Sequence, residues 1–588
     1  MLEEALKASL GLEKADLIIE DCKLVNVATG EIYEASIAIK GEVVVGVGDV
    51  KELEGNNTEV IEAHGLYAAP GFIDGHVHVE SSHLTLTGFA EAVLPHGTTS
   101  AVIDPHEMAN VLGVEGVQAM INEARQLLFK AYFMTPSCVP SAPGLETSGA
   151  ELGLREVGHL LDHEEVLGLA EVMNYPGVLI RDRGVLGKIE LAISKGKLVD
   201  GHCPGLRGRK LSAYIVAGPR SDHESLDGEE AVEKLRQGMW VMVREGSSSK
   251  NLEPILREIL RQGLDLRRIM IVTDDVEPRD LIQGHLDVVL RKAVMLGLEP
   301  LEAIRMVTLN PSTYFALERQ AGLVAPGWKA DVVLIEDLEK VKVRYTIVNG
   351  VTVAADSKMQ VKLGGYRYPE SFHVTVKLPP LLDPHIFAVK APISKGVAVV
   401  RVMVVKDGSL VTEASTTTLE VKEGLVKPDP YRDVLQAAVV ERHGKSGRVG
   451  LGFVSGFSLK KGAIASSYAH DSHNIVVVGA SWTDMALAVN KVVDMQGGYA
   501  VAVDGRVEAE VKLEVAGLMS YDAPLKVAEA FSRVQEALER LGCRLTSPLQ
   551  TLSFISLPVI PKLKLTDRGL VDVESFSLID PLVSVEVN

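Results

Sequence analysis

Cysteine is scarce in this chain. Its 588 residues hold four, Cys22, Cys138, Cys203 and Cys543, with no CxxC spacing. That argues against a disulfide framework and fits a reducing, cytoplasmic setting. No run approaches about 18 consecutive apolar residues, so no membrane-spanning helix is expected. The opening MLEEALKASLGLEKADLII carries acids and lacks a basic region followed by an apolar core, so no secretory leader is expected. Basic residues are in deficit, with 60 Lys and Arg against 79 Asp and Glu and a formal net charge of −19. That argues against nucleic acid or an acidic membrane as the main partner and leaves small substrates open. Low-complexity segments and internal repeats are not evident.

The length exceeds what one compact domain holds, so several are expected. Residues 16 to 66 read as short strands between Gly-containing turns. From about residue 71 the rhythm changes. Apolar runs end in chemically capable residues: GFIDGHVH, TTSAVIDPHE, KAYFMTPSCVPS, VLGLAEVMN, LVDGHCPG, SAYIVAGPRSDHES, MWVMVREGS and RIMIVTDD. Amphipathic segments such as VEGVQAMINEARQLLF and NLEPILREILRQG lie between several of them. Eight strands alternating with helices predict a (β/α)8 barrel, whose chemistry gathers at the C-terminal strand ends. Helices then follow, with Asn310-Pro311 read as a break. The segment AGLVAPGWKADVVLIEDLEKVKVRYTIVNGVTVA returns to the style of residues 16 to 66, so both flanks are expected to build one small β-domain. The expected division is 1–68 and 321–368 for that β-domain, 69–320 for the barrel, and 369–588 for a C-terminal domain of α/β or α+β type. A linker is expected around GGYRYPESFHVTVKLPPLLDP.

Two histidines spaced by one residue on a strand point to one face. His76 and His78 therefore form half of a metal site. Glu171, His202, His223 and Asp274 stand at later strand ends. Alone, each reads as ordinary: a buried, hydrogen-bonded His or a capping Asp. Together they are six imidazole and carboxylate ligands in order at the ends of five strands. They suit Mn, Fe or Zn, and two ions bridged by a carboxylate would use all six. His159 and His163 share helical spacing but lack a third ligand, and read as a solvated face.

The layout resembles the amidohydrolase superfamily, with PGFIDGHVH similar to its first-strand signature and AGLVAPGWKADVVLIE to its return into the β-domain. Within it, GHVHVESSHL, GTTSAVIDPHEMANV, AEVMNYPGV, DGHCPGL, SDHES and SSYAHDSHNIVVVG resemble the adenine deaminase family over essentially the whole chain. Many superfamily members bridge two metals with a carboxylated Lys after the fourth strand. Here Glu171 stands there, and Lys188 lies too far along to do so. The resemblance implies two divalent ions per chain, Mn or Fe foremost and Zn as an alternative, and hydrolytic deamination of adenine to hypoxanthine and ammonia in purine salvage. Metal lowers the pKa of a water towards about 7. Asp274 would take its proton and pass it to the leaving amino group, while His106 and Glu107 are candidates to protonate the ring. His470, Asp471 and His473 would hold an extra ion or close over the barrel mouth. A homodimer or larger homo-oligomer is expected. The alternatives are a superfamily hydrolase of a cyclic amide or N-acyl group, and a non-catalytic scaffold.

Overall fold

The computed structural model describes residues 2–247, 249–379 and 383–587; Pro380, Leu381 and Leu382 of the expected linker lie outside the described residues. Eight short strands form the central unit: β1 (Phe72–Val77), β2 (Thr98–Ile103), β3 (Lys130–Thr135), β4 (Val166–Val172), β5 (Leu198–Gly201), β6 (Ser221–Asp222), β7 (Trp240–Arg244) and β8 (Ile269–Val272). They are parallel and fall in two hydrogen-bonded arcs, β1 to β5 and β6 to β8. β2, β7 and β8 are buried along their whole length, which is why they read as unbroken apolar runs rather than alternating ones.

The arcs meet through isolated bonds rather than ladders. At one seam Asp274 N donates to His76 O and His78 N to Asp274 O, both at 3.0 Å. At the other, Arg220 N donates to Val199 O at 3.0 Å. The first seam places the ends of β1 and β8 side by side, and with them His76, His78 and Asp274. Helices cover the outside; Leu252–Gln262, for example, buries Leu252, Ile255, Leu256 and Ile259, the spacing legible in its sequence.

Three local expectations are corrected. The run SAYIVAG is not strand: it belongs to the helix Gly208–Ala217, which buries Leu211 and Tyr214 three apart. Only Ser221 and Asp222 remain for β6. The helix after β2 starts earlier than its apolar period suggests. This helix, α1 (His106–Ala124), opens directly on His106, with a kink at Gly113 where φ is 62°. Asn310-Pro311 is not a break, because Pro311 sits in the first turn of the helix Leu309–Tyr314, where a missing N–H costs nothing.

The flanks of the barrel build one nine-stranded sheet, in which Tyr67–Pro70 pairs antiparallel with Val332–Ile335. The C-terminal region carries a ten-stranded sheet that is antiparallel except where Lys395–Val404 runs parallel with Val449–Ser455. This is the α+β of the two types the sequence left open. Helices Trp482–Asp494 and Pro524–Arg540 pack on it. Among the described residues, no helix is long and apolar enough to cross a membrane.

One buried polar network fixes the ends of β5 and β6. Lys234 is 0% exposed, and its ammonium donates to Asp222 Oδ2 (2.8 Å), Glu230 Oε1 (2.6 Å) and Cys203 O (3.0 Å). Asp222 Oδ1 in turn accepts from Cys203 N at 2.9 Å. Asp222 precedes His223 and Cys203 follows His202, so the network sets where both imidazoles emerge. Burial opposes charge on Asp222, but Lys234 outweighs it and holds the carboxyl well below its ordinary range. Lys234→Met would strand two buried carboxylates, so we expect a loss of about 3–5 kcal/mol in the barrel's unfolding transition. Denaturant melts followed by fluorescence check this, and an unchanged midpoint would show that the network carries no such strain.

Candidate metal and catalytic centre

The six strand-end residues named from the sequence come together in the structure. His78 Nε2 lies 3.2 Å from Asp274 Oδ1 and 3.7 Å from Glu171 Oε1, and His76 Nε2 lies 3.5 Å from the same Asp274 oxygen. Glu171 faces His202 Nδ1 at 2.5 Å and His223 Nε2 at 3.0 Å through its Oε2. The His76 and His223 rings stack at 4.2 Å. His78 Nδ1 donates to Asp104 O at 3.0 Å, which fixes the ring and turns Nε2 inward.

Five of the six are buried and His202 is nearly so. Burial pushes the Glu171 carboxyl up, but His223 and His202 outweigh it and hold it well below the ordinary range. Asp274 behaves likewise under His76, His78 and Arg244. Both remain carboxylates at neutral pH.

The donor set fits a divalent metal. The ligating atoms of His76, His223 and Asp274 lie within 4.8 Å of one another, as do those of Glu171, His202 and His223, and those of His78, Asp104, His106 and Glu171. Burial normally demands a partner for every polar atom. Yet His76 Nε2 and Asp104 Oδ1 have no hydrogen-bond partner among the described residues. Imidazole nitrogen and carboxylate oxygen suit Mn, Fe and Zn alike.

His106 and Glu107 open helix α1 at the rim of this centre. The helix start is pinned by Glu80, whose Oε1 accepts from Met108 N at 3.0 Å. Burial, then the charge of Glu107, push Glu80 up to about 7. His106 faces two ways. Its Nδ1 lies 3.2 Å from Asp104 Oδ2 and 3.5 Å from Glu171 Oε1, and its Nε2 lies 3.5 Å from Glu107 Oε1.

The C-terminal segment meets Glu107 from the other side. His470 Nδ1 is 2.6 Å from Glu107 Oε1, and His473 Nε2 bonds Glu107 Oε2. Asp471 Oδ1 lies 3.9 Å from His106 Nε2. Burial pushes Glu107 up, but His470, His473 and His106 hold it well below the ordinary range. Burial disfavours a charged His470, yet Glu107 and Asp471 raise it to about 10. The segment is held by Arg442, which is fully buried and lowered to about 9 by that burial. Its guanidinium donates to His473 O, to Thr375 Oγ1 (3.2 Å) and to Ala516 O (3.0 Å).

Sequence reasoning gave several neighbours no role. Arg244 closes β7 and donates to Asp274 Oδ2 at 2.9 Å and to Glu224 Oε2 at 2.8 Å. Its place at a strand end was the available signal. Asp104, two residues before His106, carried the same signal. His83 joins the two units through Leu518 O (3.2 Å) and Tyr499 Oη (3.0 Å), and nothing local announced it. Lys188 lies away from the ligands, donating to Ser137 O at 2.7 Å.

Comparison with known proteins adds the lineage. Residues 67–353 match the Amidohydrolase family and residues 409–577 match the Adenine deaminase C-terminal domain. The chain is similar to the adenine deaminase of Archaeoglobus fulgidus, at 47% identity over 98% of each chain. It is also similar to that of Moorella thermoacetica, at 44% identity over 98% of this chain and 97% of the other.

Glu171 faces His78 on one oxygen and His202 and His223 on the other, the position from which one carboxylate would serve two ions. Glu171→Gln is expected to leave the fold intact and lower the metal content per chain by at least one ion, as read by elemental analysis of purified protein. Full metal content in the variant would remove Glu171 from the bridging role.

Proposed function

The chain belongs to the adenine deaminase family, and on that footing we propose that it hydrolyses adenine to hypoxanthine and ammonia. The observation that carries the substrate is whole-chain likeness, reaching through the barrel and the C-terminal domain alike. The metal ligands alone speak only for attack on an electrophilic carbon bearing a nitrogen leaving group.

His76, His78, Glu171, His202, His223 and Asp274 would hold two divalent ions, Mn or Fe foremost and Zn as the alternative. Bound there, the ions would acidify a water so that hydroxide is available near neutral pH. Asp274 supplies the proton path. It is ionised, with Oδ1 beside His76 and His78 and Oδ2 on Arg244. It takes the remaining proton of the attacking hydroxide as the C6 oxygen becomes the carbonyl, and hands it to the amino nitrogen as the bond to C6 breaks. Glu107 and His106 serve the ring. Glu107 is an ionised carboxylate among three imidazoles, so the proton it relays to the ring nitrogen beside C6 comes from the cationic side of that group. The close burial of these residues keeps bulk water from short-circuiting the transfers. A cytoplasmic homodimer or larger assembly belongs to the same proposal.

A substrate panel tests it. Metal-replete protein mixed separately with adenine, adenosine, guanine, cytosine and a dihydropyrimidine is followed by ammonia release. Adenine is expected to be turned over fastest, with adenosine weaker by about 10⁴-fold if polar groups that grip the ring-nitrogen edge are left unpaired. Faster turnover of any other member would overturn the assignment to adenine.

A further inference from the structure

Beside Asp274, between the barrel loops and the C-terminal domain, lies a small cavity. Asp275 and Glu277 line it from the loop after β8, and Tyr468, Tyr499, Phe531 and Gln550 from the C-terminal domain. It admits the centre of a water-sized particle over about 10 Å³, roughly the room that one such particle needs.

Its lining is unusual in one respect. Asp275 Oδ1, Glu277 Oε1, Tyr468 Oη and Gln550 Oε1 are all buried without a hydrogen-bond partner among the described residues. Four residues of one cavity lining thus carry unpaired buried polar atoms, which calls for an occupant. With a bound cation keeping Asp275 and Glu277 ionised, their oxygens and that of Gln550 only accept, and the phenol can accept as well as donate. A water donates two hydrogen bonds and can accept a third from the Tyr468 hydroxyl, which still leaves one of the acceptor oxygens orphaned. Ammonium is of similar size and donates four. Its charge also suits the wall. Asp275 has no ion-pair partner among the described residues, while Glu277 keeps Oε1 free because Arg279 takes Oε2 at 3.0 Å. His470 also lines the cavity, but Glu107 stands 2.6 Å from it and offsets its charge. Ser81, His83 and the rings of Tyr499 and Phe531 complete the lining, and aromatic faces attract cations.

We propose that this cavity is a binding site for ammonium, the nitrogen product, next to the residue that protonates it. The inference rests on the deaminase reading. The amino nitrogen leaves C6 with the bonding pair, takes the proton from Asp274 to become ammonia, gains one more from solvent, and is held as ammonium by Asp275, Glu277, Tyr468 and Gln550 before release.

The test uses full-length, metal-replete protein and two variants outside the proton path, Tyr468→Phe and Gln550→Leu. Each is melted in ammonium, potassium, sodium and tetramethylammonium chloride at matched ionic strength. The wild type is expected to melt about 2 °C higher in ammonium than in the other salts, with the gain lost in both variants. In parallel, ammonium is added to adenine turnover followed by hypoxanthine formation. Its inhibition constant is expected to rise about 10-fold or more in the variants. Equal melting in ammonium and sodium, equal stabilisation by potassium, or the same ammonium effect in both variants would overturn the site. Failure to turn over adenine would instead sink the deaminase reading, and the melting comparison would still decide the cavity.

Discussion

A carboxylate sealed from water must be surrounded by cations or donors, or it will not stay ionised. Glu107 is 0% exposed and meets that demand with imidazoles from two parts of the chain. His106 comes from its own helix; His470 and His473 come from a segment more than three hundred residues away. The rim of the centre is built on this contact. With the bonds of His83 to Leu518 O and Tyr499 Oη it joins the C-terminal domain to the barrel mouth, beside the ligand cluster and the small cavity that Asp275 lines. Arg442 serves it in turn, using a fully buried guanidinium to hold the backbone of His473 in place.

The barrel's own contribution follows from simple geometry. Parallel strands buried on both faces are mostly apolar, with a few hydrogen-bonded exceptions such as Asp74 and Asp200, so the ligand-type residues gather towards the strand ends. The seam between β1 and β8 then sets His76 and His78 beside Asp274. The network on Lys234 sets His202 and His223 beside Glu171. Imidazoles and a guanidinium keep both carboxylates ionised despite burial.

Legibility in the sequence tracked locality. His76 and His78 announce themselves because strand period two puts both on one face. Glu171 and Asp274 were readable as ends of apolar runs, the barrel followed from the alternation of those runs with helical spacing, the flanking β-domain from the matching style of the two flanks, and the family from motif resemblance. β6 was not readable, since two residues of strand carry no period and the adjoining SAYIVAG mimics one. Arg442 was invisible for a different reason: an arginine in a polar stretch looks solvated until the fold closes over it. The pairing of Glu107 with His470 and His473 was legible only as a cluster of capable residues, because no local pattern records which surfaces dock.

The central claim is that the two parts of the chain form one catalytic group. A double-mutant cycle reads it most directly, with kcat/KM for adenine measured in the wild type, Glu107→Gln, His473→Asn and the pair. Each single change should cost about 10²-fold or more, and the double should cost little beyond the larger single, as residues acting as a unit do. Losses that multiply, or a His473 variant as active as the wild type, would contradict it.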